Sequence, residues 1–190
     1  MLGKYKFTDK ELKILLDSVT IIIDTREQEN SHVTEYFTKK RIPHKGQKLD
    51  YGDYSFMIPA NTDLCIPRDI YFVNNIVIER KAHLVELSGN LTVDGGSRFE
   101  SELIRSQGAK FYLMVENASY GDIINHNYNT QYEPKSFVAR LKTFESRYGI
   151  SINFVSSKCS GNFIYFTFYY WLREMLKKGE LPYEDTMPMP

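Results

Sequence analysis

Apolar residues in this chain fall into two kinds of run. One kind is short, continuous and rich in β-branched residues: "VTIIIDTRE" (19–27), "IVIERK" (76–81), "KFYLMVE" (110–116) and "SINFVSS" (151–157). Such runs predict strands buried on both faces. The other kind recurs at helical spacing. Thr8 and Glu11 have capping-box spacing ahead of Leu12, Ile14 and Leu15, predicting a short helix, and residues 31–41 predict another that closes on Lys39, Lys40 and Arg41. Phe137, Val138, Leu141, Phe144 and Tyr148 mark one face of a helix over 134–149, and the length of 161–178 favours a mostly buried helix.

Between these lie less regular segments. Residues 44–58 read as one or two strands with Gly52 at a bend, and 59–75, with Pro59 and Pro67, as an excursion. Residues 82–91 read as a short helix, 92–96 as a loop, and Ser97 to Glu100 as a second capping box opening a helix that stops at Gly108. Strands interleaved with helices predict a single α/β domain over 1–178, with a flexible tail over 179–190.

Three of the strand ends carry carboxylates: Asp24, Asp53 and Glu79. Along a strand, residues two apart share a face, so Glu79 and Lys81 project together and Arg80 opposite. Carboxylates gathered at one sheet end repel, a divalent cation removes the conflict, and hard oxygen ligands favour Mg2+ or Mn2+ over zinc. A lysine beside them equips the site for phosphodiester hydrolysis. The spacing alone is equally compatible with ordinary strand-to-loop charges, solvated or paired to Arg26 and Arg80.

Composition narrows the partners. The 190 residues are 42% hydrophobic and 14% aromatic, as in a globular protein, and their formal net charge is zero. A protein that coats long nucleic acid carries a basic excess; localised binding needs only one patch. Cys65 and Cys159 lack zinc-like spacing, and no apolar run approaches the roughly 20 residues of a membrane span, so a cytoplasmic location is the expectation.

"IIIDTREQ", "LDYGDYSF" and "IVIERKAH", in that order, resemble the signature of the XPF-type structure-specific endonuclease family. "ELSGNL" (86–91) and "SRFESELIRSQ" (97–107) extend the likeness, which covers about residues 19–157. The resemblance implies a restriction-endonuclease-like α/β core, a central mixed β-sheet flanked by helices. It implies a Mg2+- or Mn2+-dependent DNA endonuclease acting at branched, flap or junction structures. Asp53 and Glu79 would be the principal metal ligands, with Asp24 completing the acidic cluster. Lys81 would be the catalytic lysine, and Arg26, Glu27 and Arg80 supporting active-site residues. The rivals are a non-catalytic DNA-binding relative, which should have lost the acids or the lysine, and a four-way-junction resolvase.

Two departures stand out. The family pattern has an Asp four residues after the lysine, where this chain has Val85, with Glu86 one later. The family's eukaryotic and archaeal members add a tandem helix–hairpin–helix module, for which no room follows residue 178; a stand-alone version, such as bacteria or phages encode, is implied. "DGGSRFE" (94–100) is either a turn into a capped helix or a phosphate-binding helix start with Arg98, which the resemblance puts near the active face. Arg140 and Arg147 share a helix face that can grip a DNA backbone, an ordinary solvated face being the more common use of such residues. The aromatics of 161–178 exceed what one helix face buries, which predicts a homodimer.

Overall fold

The β-branched runs form strands as expected, and their parity divides the molecule. The computed structural model describes residues 7–179, apart from the side chains of 93–97. Strands β1 (Thr20–Ile23), β2 (His44–Gly46), β3 (Tyr54–Ile58), β4 (Ile70–Tyr71), β5 (Ile76–Lys81), β6 (Lys110–Glu116) and β7 (Ser151–Val155) make one mixed sheet. Its order is β2-β1-β3-β5-β6-β7, with β4 paired to β3. β3 runs antiparallel to both β1 and β5, whereas β1–β2, β5–β6 and β6–β7 are parallel.

Helices cover both faces. Ile21, Ile23, Tyr54, Phe56, Ile76 and Ile78 pack beneath α1 (Asp9–Asp17), α2 (Ser31–Lys40) and α7 (Ser160–Lys178). Val77, Phe111, Leu113 and Val115 face α3 (Leu84–Leu91), α4 (Val93–Arg105), α5 (Tyr120–Ile124) and α6 (Pro134–Tyr148). Alternate residues of β5 therefore enter different cores, and this continues into its charged end.

The capping box Thr8–Glu11 forms as expected. The segment read as a loop over 92–96 is helical: α4 begins at Val93, and Thr92 alone separates it from α3. Ser97 is therefore inside the helix rather than its cap, because continuation of the amphipathic stripe through Phe99 and Leu103 outweighs the cost of Gly95 and Gly96. Strand β4 and helix α5 fall in segments where no periodicity marked them. The tail expected to be flexible lies, beyond Gly179, outside the described residues.

Along α7, Ile164, Phe168, Leu172 and Leu176 are buried at four-residue spacing, and Trp171 packs edge-on against Phe56 and Phe72. Gly161 is needed there, since a Cβ would lie 2.6 Å from the Tyr36 ring. Phe166 and Tyr170 remain exposed, stacked with ring centroids 5.9 Å apart. Among the described residues no helix is long and apolar enough to cross a membrane.

Candidate active site

Strand register sets the acids in a row. Tyr54 pairs with Ile78 across the antiparallel β3–β5 ladder, so Asp53, one residue earlier, lies opposite Glu79, one residue later. Ile23 pairs with Tyr54 in the same way, and the Asp24 N–H donates to the Asp53 carbonyl at 2.8 Å. The three acids expected to meet thus stand side by side at one end of the central strands.

Their carboxylates differ. Asp53 and Glu79 are crowded: burial foremost, then mutual repulsion and the charge of Glu102, drive Glu79 well above the usual carboxylate range. Burial likewise pushes Asp53 up to about 7, against the pull of Lys81 and of the Arg80 N–H, which donates to Asp53 Oδ2 at 2.8 Å. Asp24 is buried too, yet each of its oxygens accepts two hydrogen bonds. Oδ1 takes the Arg26 N–H (2.7 Å) and Nε (2.8 Å), and Oδ2 takes Arg26 Nη2 (3.0 Å) and the Leu49 N–H (2.6 Å). Burial would raise its pKa, but these donors outweigh it and hold Asp24 below the ordinary value. Expected as a third ligand, Asp24 has every lone pair committed, and its carboxylate orients Arg26, whose side chain is 65% exposed. Among the described residues no group of three or more His, Cys, Asp or Glu is arranged to hold a metal.

Lys81 Nζ lies 2.6 Å from Glu79 Oε1, above the Phe99 ring. Burial would depress its pKa, but Glu79, Asp53 and Glu86 prevail and keep the ammonium firmly protonated. Glu86, one position beyond the place of the family's Asp, approaches the same lysine. Helix α3 starts at Leu84 with His83 as its cap, so Glu86 turns back, accepts the Ala82 N–H at 2.8 Å and comes within 3.6 Å of Lys81, while Val85 is exposed.

Arg80 points the other way, as parity requires. It donates to Glu27 (2.7 Å) and Glu116 (2.9 Å), and Glu116 also accepts from His32 Nε2 (2.8 Å) and from the Ser160 hydroxyl. Burial would raise the Glu116 pKa, but Arg80, Ser160 and His32 outweigh it. Arg98 is exposed on α4. Arg140 and Arg147, the residues expected to grip DNA, both converge on Glu100, at 3.9 and 2.5 Å, and tie α6 to α4 while staying partly exposed.

Glu102 and Glu116 escaped the sequence reading. Glu116 ends a buried strand in a carboxylate, the same signal that marked Glu79. Glu102 sits three residues after buried Phe99, on the inward side of an amphipathic helix, where a charge is unusual.

The ERCC4 domain family matches over residues 23–167. Two solved structures are similar to this chain. XPF from Aeropyrum pernix is 18% identical, with a TM-score of 0.59, 82% of this chain and 66% of that chain being covered. XPF from Aeropyrum pernix in complex with DNA is 17% identical, with a TM-score of 0.57 and coverages of 82% and 65%. The chain therefore spans slightly less than two thirds of those proteins. No curated protein matches it. With matching motifs on the expected strands and a family match over most of its length, the chain belongs to the ERCC4 domain family and has the nuclease-domain fold of XPF.

Proposed function

We propose that the protein is a metal-dependent DNA endonuclease, acting on branched, flap or junction DNA. The observation that carries this reading is the Asp53–Glu79 pair, two adjacent carboxyls forced toward protonation with Lys81 beside them. A fold does not keep such a pair for stability, because each carboxylate destabilises the other. Their oxygens suit Mg2+ or Mn2+, which when bound would supply Lewis acidity and a more acidic water. The DNA-bound XPF structure supports the choice of polymer, and Arg98 and the orientated Arg26 are the groups proposed to contact phosphate.

In this mechanism Asp53 and Glu79, once deprotonated, would hold the cation. Water oxygen attacks phosphorus and gives up a proton to solvent, one P–O ester bond breaks, and the departing oxygen takes a proton from solvent. Lys81 sits where negative charge grows on the phosphoryl oxygens and stabilises it more in the transition state than in the ground state. Glu86 holds the Lys81 ammonium from its other side. Arg80 and Glu27 act from beneath, since the Arg80 N–H fixes Asp53.

A homodimer joined through α7 is proposed on the stacked, exposed Phe166 and Tyr170. Two copies would enlarge the DNA contact of a chain with no net charge. Light scattering across a dilution series tests it, and a monomer mass at tens of micromolar refutes it.

The test of the main reading is cleavage of labelled flap, fork, splayed-arm, four-way and linear DNA with Mg2+, Mn2+ or a chelator. Cutting of branched substrates only, and only with metal, is expected. Binding without cleavage under every condition would favour the non-catalytic relative.

A further inference from the structure

Gly52 precedes Asp53 and has φ +71°, a left-handed conformation that glycine adopts freely. A Cβ there would lie 2.9 Å from Val77 Cβ, so the turn is pressed against β5. Its N–H is captured by a side chain from another element: Glu102 Oε1, on α4, accepts it at 2.8 Å. Glu102 is also close enough to act electrostatically on Asp53, Glu79 and Arg26. Arg98 lies one helical turn earlier on α4, on the same side as Glu102.

A like charge beside two repelling carboxylates is unfavourable, so something must offset it. The hydrogen bond to Gly52 does: a carboxylate accepting a backbone N–H forms a strong bond and satisfies a donor that the left-handed turn removes from the β-ladder. We infer that Glu102 is a positioning residue for this nuclease site: by clamping the Gly52 N–H it locks the turn that aims Asp53, and it ties that aim to the helix bearing Arg98. The inference rests on the nuclease reading above. A one-ångström error in a reacting geometry costs about 100-fold in rate.

Three proteins separate the outcomes: wild type, Glu102→Ala and Glu102→Gln. Glutamine keeps an oxygen acceptor for Gly52 and removes the charge; alanine removes both. Two measurements are made on each: single-turnover cleavage of the best branched substrate at saturating Mg2+, and the 15N-resolved hydrogen exchange of the Gly52 amide. Expected for Glu102→Ala are a loss of about 100-fold in the cleavage rate, little change in substrate KM, and at least tenfold faster Gly52 exchange. Expected for Glu102→Gln are recovery of most of the lost rate and of the slow exchange. Equal cleavage by Glu102→Ala and wild type overturns the inference, as does Gly52 exchange unchanged by alanine. A glutamine variant as inactive as alanine while its Gly52 exchange stays slow also overturns it, because the charge itself would then be the requirement. Should wild type cut no DNA at all, the nuclease reading fails, and Gly52 exchange still reports whether Glu102 clamps the turn.

Discussion

Strand β5 ends in charges on both faces, and the faces obey opposite rules. Toward α3 and α4, Glu79 and Lys81 sit with Asp53 among carboxyls that burial and mutual repulsion push up. Toward α2 and α7, Arg80 sits between Glu27 and Glu116, and Glu116 is saturated by Arg80, Ser160 and His32. Of the Arg80 nitrogens only Nε lacks a partner among the described residues. One face therefore spends stability on a site that a cation would relieve, while the other pairs its charges within the protein, although burial still pushes the Glu27 carboxyl up. The two meet at the peptide of Arg80, whose side chain anchors in the quiet network and whose N–H holds Asp53. Three consecutive charges thus divide by parity alone into a proposed chemical pair and a structural anchor.

The largest expected effect is on turnover. Asp53→Ala and Glu79→Ala should each lose cleavage by about 1,000-fold or more with the fold intact, since removing one carboxylate removes a proposed ligand and relieves repulsion. Lys81→Ala should lose about as much turnover while retaining metal binding, because its contribution is made in the transition state. Single-turnover assays with circular dichroism check this. A variant of Asp53 or Glu79 that cleaves normally would remove the chemical side of the comparison.

The next effect is on stability. Glu116→Ala leaves the buried Arg80 guanidinium half-paired and should cost roughly 3 kcal/mol, measured by urea unfolding. Asp53→Asn should instead stabilise the metal-free protein at neutral pH, by about 2 kcal/mol or several degrees in Tm. Opposite signs from two acids at the same end of the sheet, on strands flanking β5, would establish the contrast; destabilisation by both would collapse it.

Acidity sharpens the same point. Asp53 has a folded pKa raised to about 7 from an unfolded value near 3.8, so between those values the folded state binds more protons than the unfolded. Its contribution to stability is therefore favourable below about 4 and is lost as pH rises through 7. Glu116 is depressed, so its contribution is present above the unfolded carboxylate pKa and is lost as pH falls through its folded value. Metal-free wild type should consequently gain stability on going from pH 8 to pH 5, and Asp53→Asn should lose much of that gain. Mg2+ should bind more weakly below pH 7 and release protons as it binds, visible as buffer-dependent heats in calorimetry.

Much of this contrast was legible in the sequence because β-strand parity is rigid. Placing Glu79 with Lys81 and Arg80 opposite needed only the assignment of 76–81 as a strand, and the β-branched run made that secure. The row of Asp24, Asp53 and Glu79 was legible as strand ends, although its closeness depends on a register that sequence does not encode locally. What escaped were destinations of side chains set by tertiary contact. Asp24 looks like Asp53 in sequence, and only the nearness of Leu49 and the turn of Arg26 commit its oxygens. Arg140 and Arg147 read as a free basic face until Glu100, on another helix, meets them. The boundary of α4 was missed because two glycines argue locally for a loop, and packing against α3 decides otherwise.

The smallest expected effect tests whether the two faces are independent. His32 is at the edge of the quiet network, about one third exposed, and gives Glu116 one hydrogen bond of several. His32→Ala leaves Glu116 with Arg80 and Ser160, so the loss should be that of one part-exposed hydrogen bond, about 1 kcal/mol. Arg80 keeps both carboxylate partners in that variant, so its peptide N–H should stay on Asp53 and the cleavage rate at saturating Mg2+ should remain within about twofold of wild type. A loss of stability alone means that the foundation tolerates damage at its rim. A tenfold fall in rate with the same small loss of stability would mean that strain crosses the sheet through Arg80, and that β5 transmits between its faces rather than separating them.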